Sequence, residues 1–440
     1  MPDGFSARER RTFFGGGKGR LFCRREFFLP KRRGCAILGI NEPLGGIDMK
    51  SFVADIPEKI VFGAGCVDTV GKYAKPLGRR AAIIAGKGVR PEKTALLDKI
   101  RALLGGQGVE SFVYAEINEN PLIPVVDAGV EFARENSCDL VIGVGGGSSL
   151  DSAKIIAMVC ASGGSVRDYV LDGKYARKKA DEIKTLPMIA ITTTAGTGSE
   201  ATPWAVVTDP ETGKKPGFGW SPVMYPTVAI VDPELTLSMP KNVTANTGID
   251  VFFHAYEAYV STIANDFTDI FAVRSMELVA ENLKKCLDDP QDIEARSAMS
   301  FANTIAGPAI SISGTHIIHG MGHSISGHYN TPHGLALCSI AAAVTDYTWK
   351  SNPKKFARAA VIMGADPLLD EVALASGCAK TMKRFLAQFG QDVSLSSFGV
   401  TEEMLPVMAA DAFEAMGGNM GVCPVPVTPE DAVALYRASM

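Results

Sequence analysis

From Met49 to about residue 231, short runs of β-branched and other apolar residues alternate with stretches whose apolar positions recur at helical spacing. The runs KIVFG (59–63), AAIIAG (81–86), SFVYAE (111–116), DLVIGVG (139–145), MIAITTT (188–194) and TVAIVD (227–232) are the predicted strands. Between them, PEKTALLDKIRALLGGQG and IPVVDAGVEFARENS read as helices. Strands separated by helices predict a parallel sheet covered on its faces. From Pro233 onward the strand signals stop. NVTANTGIDVFFHAYEAYVSTIA, FTDIFAVRSMELVAENLKKCLDD and PQDIEARSAMSFANTIAG all carry helical spacing. The expectation is an α/β domain over residues 49–231 and an all-α domain over residues 232–440, with the boundary near Val231 to Leu235 and a cleft between them. No internal repeat interrupts this plan.

The first 48 residues break the pattern. They hold ten Lys/Arg and five Asp/Glu with no helical or alternating period, which leaves 34 basic and 43 acidic residues in the rest of the chain. Residues 1–48 are therefore expected to lie outside the core, as a disordered extension or an upstream start with Met49 opening the folded protein. A formal charge of -4 excludes the basic footprint that binding a phosphate backbone demands, so no nucleic-acid partner is expected. Nine scattered cysteines with no CxxC pair argue against a disulfide framework and fit a reducing cytoplasm. No apolar run approaches the ~18 residues of a membrane span, so no membrane association is expected either.

Two segments suit a nucleotide. In DLVIGVGGGSSLDSAK an apolar strand passes through Gly145, Gly146 and Gly147 into a helix, which gathers bare backbone N–H groups and the positive end of a helix dipole at one point. Ser148 or Ser149 is placed to cap that helix. The turn matches neither GxGxxG nor the Walker A pattern, and three glycines can equally close a tight strand-to-helix connection. The second segment, Thr192 to Glu200 (TTTAGTGSE), follows another strand and has the hydroxyl and glycine density of nucleotide-lining loops and of plain turns alike.

The six histidines, at 254, 316, 319, 323, 328 and 333, all fall within one fifth of the chain. Asp250 and His254 stand four apart in GIDVFFHAYEAY, on one face of a helix. His319 and His323 repeat that spacing in IIHGMGHSISGHYNTPHG, and His333 follows Pro332. Three imidazoles and a carboxylate form a mixed N/O set that suits Fe(II) or Zn(II) rather than a hard cation. An isolated DxxxH is otherwise a cap, a salt bridge or a satisfied core histidine. Beside a nucleotide, a divalent ion has a use: it stabilises the alkoxide from which hydride leaves, or polarises a carbonyl in reverse.

Together IVFGAG, the Asn120-Pro121 pair, GGGSSLDSAK, TTTAGTGSE, VDPEL, ANTGIDVFFHAYEAYVS and HGMGH with YNTPHG resemble the iron-containing (group III) alcohol dehydrogenases, from Lys59 to about Tyr436. The resemblance implies a dehydroquinate-synthase-like architecture: an N-terminal dinucleotide-binding domain, a helical metal-binding domain, and an active site in the cleft. It implies Asp250, His254, His319 and His333 as metal ligands, Fe2+ or Zn2+ as the ion, and His323 as a proton relay beside the nicotinamide. On the cofactor side it implies Gly146, Gly147 and Ser148 around the pyrophosphate, helped by Thr192, Thr193 and Thr197, with Asn120, Asp151 and Lys215 nearby. His316 and His328 match no ligand position. Two departures stand out. Relatives that prefer NAD usually carry an Asp at the end of the second strand, where this chain has Gly86, with Lys87 and Arg90 close behind; NAD(H) with tolerance of NADP(H) is the expectation. Many relatives read AHPLG where this chain reads GHSIS, so Ser324 to Ser326 are expected to make the pocket wall more polar.

The implied protein is a cytoplasmic, homo-oligomeric NAD(P) alcohol dehydrogenase or aldehyde reductase for a small primary alcohol or diol. The alternatives are a dehydroquinate-synthase-like or glycerol-dehydrogenase-like metal enzyme, and a non-catalytic metal-binding module. A synthase-like site needs clustered Lys or Arg for a phosphorylated substrate, and His316 to His333 contains none.

Overall fold

The computed structural model describes residues 50–440, so the expectation for residues 1–48 lies outside the described residues. Six strands form one parallel sheet: β1 (Ile60–Phe62), β2 (Arg80–Gly86), β3 (Glu110–Ile117), β4 (Leu140–Gly145), β5 (Met188–Thr192) and, after a small hairpin, β8 (Val228–Val231). Their order across the sheet is β1-β8-β5-β4-β2-β3. All five pairings are parallel. The inner strands are covered on both faces, which is why they read in the sequence as continuous apolar runs. Alternation along β2 divides the two layers: Ala81, Ile83 and Ala85 join the core on one face, and Ala82 and Ile84 the core on the other.

The first layer includes α1 (Val70–Ala74) and α2 (Pro91–Gly105), and the second α3 (Ile123–Glu135) and α4 (Gly147–Ser162). From β2 the chain moves outward to β3, whereas from β4 it moves the other way to β5 and β8. The sheet therefore reverses between β2 and β4, and at such a point the crevice beyond the carboxyl ends of the strands is open to a ligand. Gly86 and Gly145 end these two strands. The hairpin, β6 (Ala205–Val206) and β7 (Gly217–Phe218), is antiparallel and was not expected from the sequence.

After β8, a single 3-10 turn at Pro233–Thr236 leads to ten helices and no further strand. These are α5 (Lys241–Val260), α6 (Asp266–Asp288), α7 (Ile293–Ser313), α8 (Ile317–Tyr329), α9 (His333–Thr348), α10 (Pro353–Ile362), α11 (Glu371–Ser376), α12 (Cys378–Ala387), α13 (Leu405–Gly421) and α14 (Pro429–Arg437). Helix α5 is the axis of this half, with 15 of its 20 residues buried. Helix α6 starts at Asn265, whose side chain accepts from the Phe267 and Thr268 amides. Helix α7 runs through Pro308 because the residues around it, Ala306, Ala309 and Ile310, are fixed in the core. No described helix is long and apolar enough to cross a membrane.

Candidate active site

The glycine turn joins β4 to α4. Gly145 has φ +146°, a conformation that favours glycine, and a Cβ there would stand 2.5 Å from Ser149 Oγ. Gly146 is the N-cap of α4, and no side chain caps the helix. This corrects the expectation for Ser148 and Ser149: Ser148 instead donates its hydroxyl to the Glu119 carbonyl, tying the turn to the loop that carries Asn120. The next two glycines are needed for a reason the sequence did not disclose. A Cβ on Gly146 would lie 3.0 Å from Thr194 Oγ1, and one on Gly147 only 2.5 Å from Thr197 Cγ2. The TTTAGTGSE loop packs directly on the turn. Thr192 closes β5 and donates to the Thr194 carbonyl at 2.9 Å, and the Thr193 amide donates to the Gly145 carbonyl at 3.0 Å.

Asp151, one turn into α4, accepts from Ser199 Oγ at 2.6 Å and from the Val206 amide at 2.9 Å. Both its oxygens therefore tether neighbouring loops. Burial raises its pKa, and Lys154 lowers it. Lys154 was not singled out in the sequence. It is wholly buried and donates to Ser199 Oγ (2.7 Å), Thr202 Oγ1 (3.3 Å) and the Trp204 carbonyl (2.7 Å). Across the crevice, Lys215 in the β6–β7 loop donates to Asn120 Oδ1 at 2.9 Å. Burial pushes its ammonium below the ordinary value, with Asp151 and Asp250 pulling it back.

Asp250, His254, His319 and His333 come together from α5, α8 and the first residue of α9. From Asp250 Oδ1 the nearest imidazole nitrogens lie at 3.4 Å (His319 Nε2), 3.7 Å (His333 Nε2) and 3.8 Å (His254 Nδ1). Asp250, His254 and His319 each offer a ligand atom within 4.8 Å of the others. Ligands about 2.1 Å from a tetrahedral ion stand about 3.4 Å apart. Asp250 Oδ1 and His319 Nε2 are also buried without a hydrogen-bond partner. Unpartnered buried polar atoms are costly, and a divalent ion between them would remove the cost. The residues present fit such an ion.

The electrostatics follow from burial and proximity. Burial alone would raise the Asp250 carboxyl, but the surrounding imidazoles bring it down to about 2. Burial lowers His254 to about 4 and His333 to about 3. His319 moves the other way, to about 9, because Glu257 and Asp250 outweigh its burial. Glu257 is the functional neighbour that the sequence reading missed. It is fully buried on α5, and its Oε2 meets His319 Nδ1 in a short hydrogen bond. His316 Nδ1 lies 2.8 Å from its Oε1. A signal was present: Glu257 stands three residues after His254, charged within the otherwise apolar run AYEAYV.

The family model described as iron-containing alcohol dehydrogenase matches residues 57–233, and that of the C-terminal part of the Fe-containing alcohol dehydrogenase family matches residues 244–440. The chain belongs to the iron-containing alcohol dehydrogenase family. It is 35% identical over 364 residues to the NAD-dependent methanol dehydrogenase of Bacillus methanolicus, covering 82% of this chain and 92% of that relative. It is 33% identical over 367 residues to a 1,3-propanediol dehydrogenase of Citrobacter freundii, with the same coverage. An archaeal halo-thermophilic alcohol dehydrogenase from a Red Sea brine pool superposes with a TM-score of 0.83 at 38% identity, over 89% of this chain and 99% of that one. As a member of this family, the protein is a metal-dependent alcohol dehydrogenase.

In this member of the family the remaining candidates divide between the cleft and its supports. His323 lies one turn after His319, with its ring 4.8 Å from that of His333 and its Nδ1 buried without a partner. His328 pairs with Asp411 of α13 at 2.7 Å and stands apart from the other imidazoles. Helical phase separates the two serines: Ser326 shares the face of His319 and His323, whereas Ser324 lies on another face of α8. The expectation of a polar pocket wall is thereby corrected for Ser324. At the end of β2, Lys93 joins Lys87 and Arg90, donating to the Gly86 carbonyl at 2.7 Å. A surface groove of about 410 Å³ beside Lys50–Val53 and Thr262–Ile263 contains none of these residues.

Proposed function

We propose that this protein transfers hydride between the carbon of a small primary alcohol or diol, or of the matching aldehyde, and nicotinamide C4. In this reading Asp250, His254, His319 and His333 hold Fe(II), with Zn(II) as the alternative. The observation that carries it is the convergence of His319 Nε2 and His333 Nε2 on the unpartnered Asp250 Oδ1, with the His254 ring stacked on that of His319 beside them. Bound there, a divalent ion supplies Lewis acidity toward the substrate oxygen. His254 donates Nδ1–H to the Gly196 carbonyl at 3.2 Å, which reserves Nε2 as its ligand atom. His323 sits next to the ligand set without belonging to it, placed to pass a proton between substrate and solvent. Burial and its imidazole neighbours keep it neutral, the state in which it accepts a proton.

On the other side of the cleft, Gly146, Gly147 and Ser148 open α4 toward the pyrophosphate, with Thr192, Thr193 and Thr197 beside them and Asn120, Asp151 and Lys215 completing the wall. Gly86 itself offers no carboxylate against a 2′-phosphate, and Lys87, Arg90 and Lys93 follow it in the chain, with Glu116 of β3 3.8 Å from the Lys87 ammonium. NAD(H) with tolerance of NADP(H) follows; a strong kinetic preference for NAD(H) would count against it. We place the enzyme in the cytoplasm, consistent with seven free described cysteines, and as a homo-oligomer on the family resemblance alone.

The deciding experiment is His333→Ala after anaerobic iron loading, assayed with both dinucleotides on a panel of small alcohols and aldehydes. Metal retention and turnover are expected to disappear together. Full activity in metal-free protein would overturn the ligand assignment.

A further inference from the structure

Five consecutive residues, Gly196 to Glu200, reach three helices between them: α5, α4 and α7. The Gly196 carbonyl accepts from His254 Nδ1, and its α-carbon lies so close to α5 that a Cβ would stand 2.7 Å from Thr247 Cβ. Thr197 fills the space over Gly147 of the glycine turn. Gly198, at φ +61°, donates its amide to Asn303 Oδ1 of α7 at 2.8 Å. Ser199 bonds Asp151 and Lys154 of α4. Glu200 is fully buried, and its Oε1 accepts from Asn303 Nδ2 and Thr304 Oγ1 of α7, each at 2.8 Å.

The contact with the glycine turn and the contact with a metal-ligating imidazole are thus made by neighbouring residues, about 3.8 Å apart along the backbone. Any shift of Thr197 that accompanies occupation of the turn must be shared by the Gly196 carbonyl, because the next three residues are pinned. A buried carboxylate is an expensive pin, since apolar packing would hold the loop with less desolvation. What hydrogen bonds add is register: Asn303 bonds the loop backbone with its Oδ1 and the Glu200 carboxylate with its Nδ2.

We propose that Asn303, Thr304 and Glu200 are positioning residues that make Gly196–Glu200 a rigid link between the glycine turn and His254, so that dinucleotide binding and metal retention are coupled. The inference rests on the functional reading given above. Coupling of this kind is reciprocal, and its usual size is about fivefold or more in affinity.

The test measures the Zn(II) dissociation constant of the full-length protein by competition with a chromogenic chelator, with and without saturating NADH. In the unmodified protein NADH is expected to tighten Zn(II) about fivefold or more. Asn303→Ala, which removes both bonds, should bring that ratio close to one. Thr304→Val, nearly isosteric, should reduce it in a protein that folds even if Asn303→Ala does not. Glu200→Gln keeps an acceptor toward Asn303 and Thr304 and should preserve the ratio, an outcome that a loss of general stability would not produce. Zn(II) and NADH that both bind the unmodified protein with a ratio of one would overturn the link and leave the functional reading standing. Retention of the full ratio in both α7 variants would overturn the residue assignment. Failure of the unmodified protein to bind either probe would remove the functional reading, and the link with it.

Discussion

Glu257 acts on α8 in two ways through one carboxylate. Its oxygens accept the Ile318 amide at 2.8 Å and the His319 amide at 3.2 Å, so it caps the amino end of α8 from another helix, where His316 offers no side-chain cap. The same group receives His319 Nδ1–H and thereby turns Nε2 toward Asp250. Burial alone would raise its pKa, yet His316 and His319 hold it well below the usual carboxylate range. Glu257→Gln should therefore weaken metal binding by about 10- to 100-fold, the usual effect of losing a carboxylate behind a ligating imidazole. Equilibrium competition with a chelator measures this, and an unchanged affinity would show that the cap is its whole role. His323→Ala separates a proton relay from a ligand. Metal content should stay near that of the parent protein while kcat falls about 10²-fold or more. Metal loss in parallel with kcat would place His323 among the ligands instead.

At the scale of elements, what could be read in advance depended on whether an element carries its own pattern. Buried parallel strands are apolar throughout and are bounded by turns, so β2, β4 and β5 stand within a residue or two of the runs AAIIAG, DLVIGVG and MIAITTT. The β6–β7 hairpin has two residues per strand and owes part of its position to the bond from the Val206 amide to Asp151, so no local period announced it. The histidine spacing on α5 and α8 foretold which side chains share a face. By the same spacing Glu257, seven residues after Asp250, shares that face of α5, but nothing local to the helix foretells that its carboxylate lies behind His319. Nor did three glycines in a row reveal that Gly146 and Gly147 face threonines of another loop as closely as any ligand. That packing has a measurable consequence. Gly147→Ala should lower stability by about 1–3 kcal/mol through overpacking and weaken dinucleotide binding, because its Cβ meets Thr197 Cγ2 at 2.5 Å. Adding Thr197→Ser, which removes that methyl, should recover part of both losses, and the double-mutant cycle should give a coupling energy of about 0.5 kcal/mol or more. Strict additivity would mean that the two loops do not constrain one another.

Across the whole molecule, one buried ammonium anchors the loop through which the sheet domain reaches the helical half. Lys154 on α4 holds the Ser199, Thr202 and Trp204 segment, which leads directly into the Glu200 cluster on α7. Removing it as Lys154→Met leaves Asp151 buried without its counter-charge, 3.9 Å from where the ammonium stood, and a loss of about 3 kcal/mol is expected at neutral pH. The pH dependence has a definite sign. Burial pushes the Lys154 ammonium down to about 8, with Asp151 and Glu200 drawing it back up, whereas an unfolded chain holds that proton to about 10.4. Below about 8 both states carry the proton, and the buried charge weakens the fold by a constant amount. Between the two values the unfolded state binds more protons than the native state, so this lysine makes stability rise with pH across that window. Buried cysteines and tyrosines such as Cys286 and Tyr259, raised by desolvation to about 11 and about 12 respectively, act in the opposite sense. The informative quantity is therefore the difference between the parent protein and Lys154→Met in urea unfolding at about pH 7.5, 8.5 and 9.5. That difference should widen in favour of the parent as pH rises, by about 2 kcal/mol across this series for a shift of this size. Curves that remain parallel across the series would mean that the lysine keeps its ordinary affinity for the proton despite burial, held charged by its three oxygen acceptors.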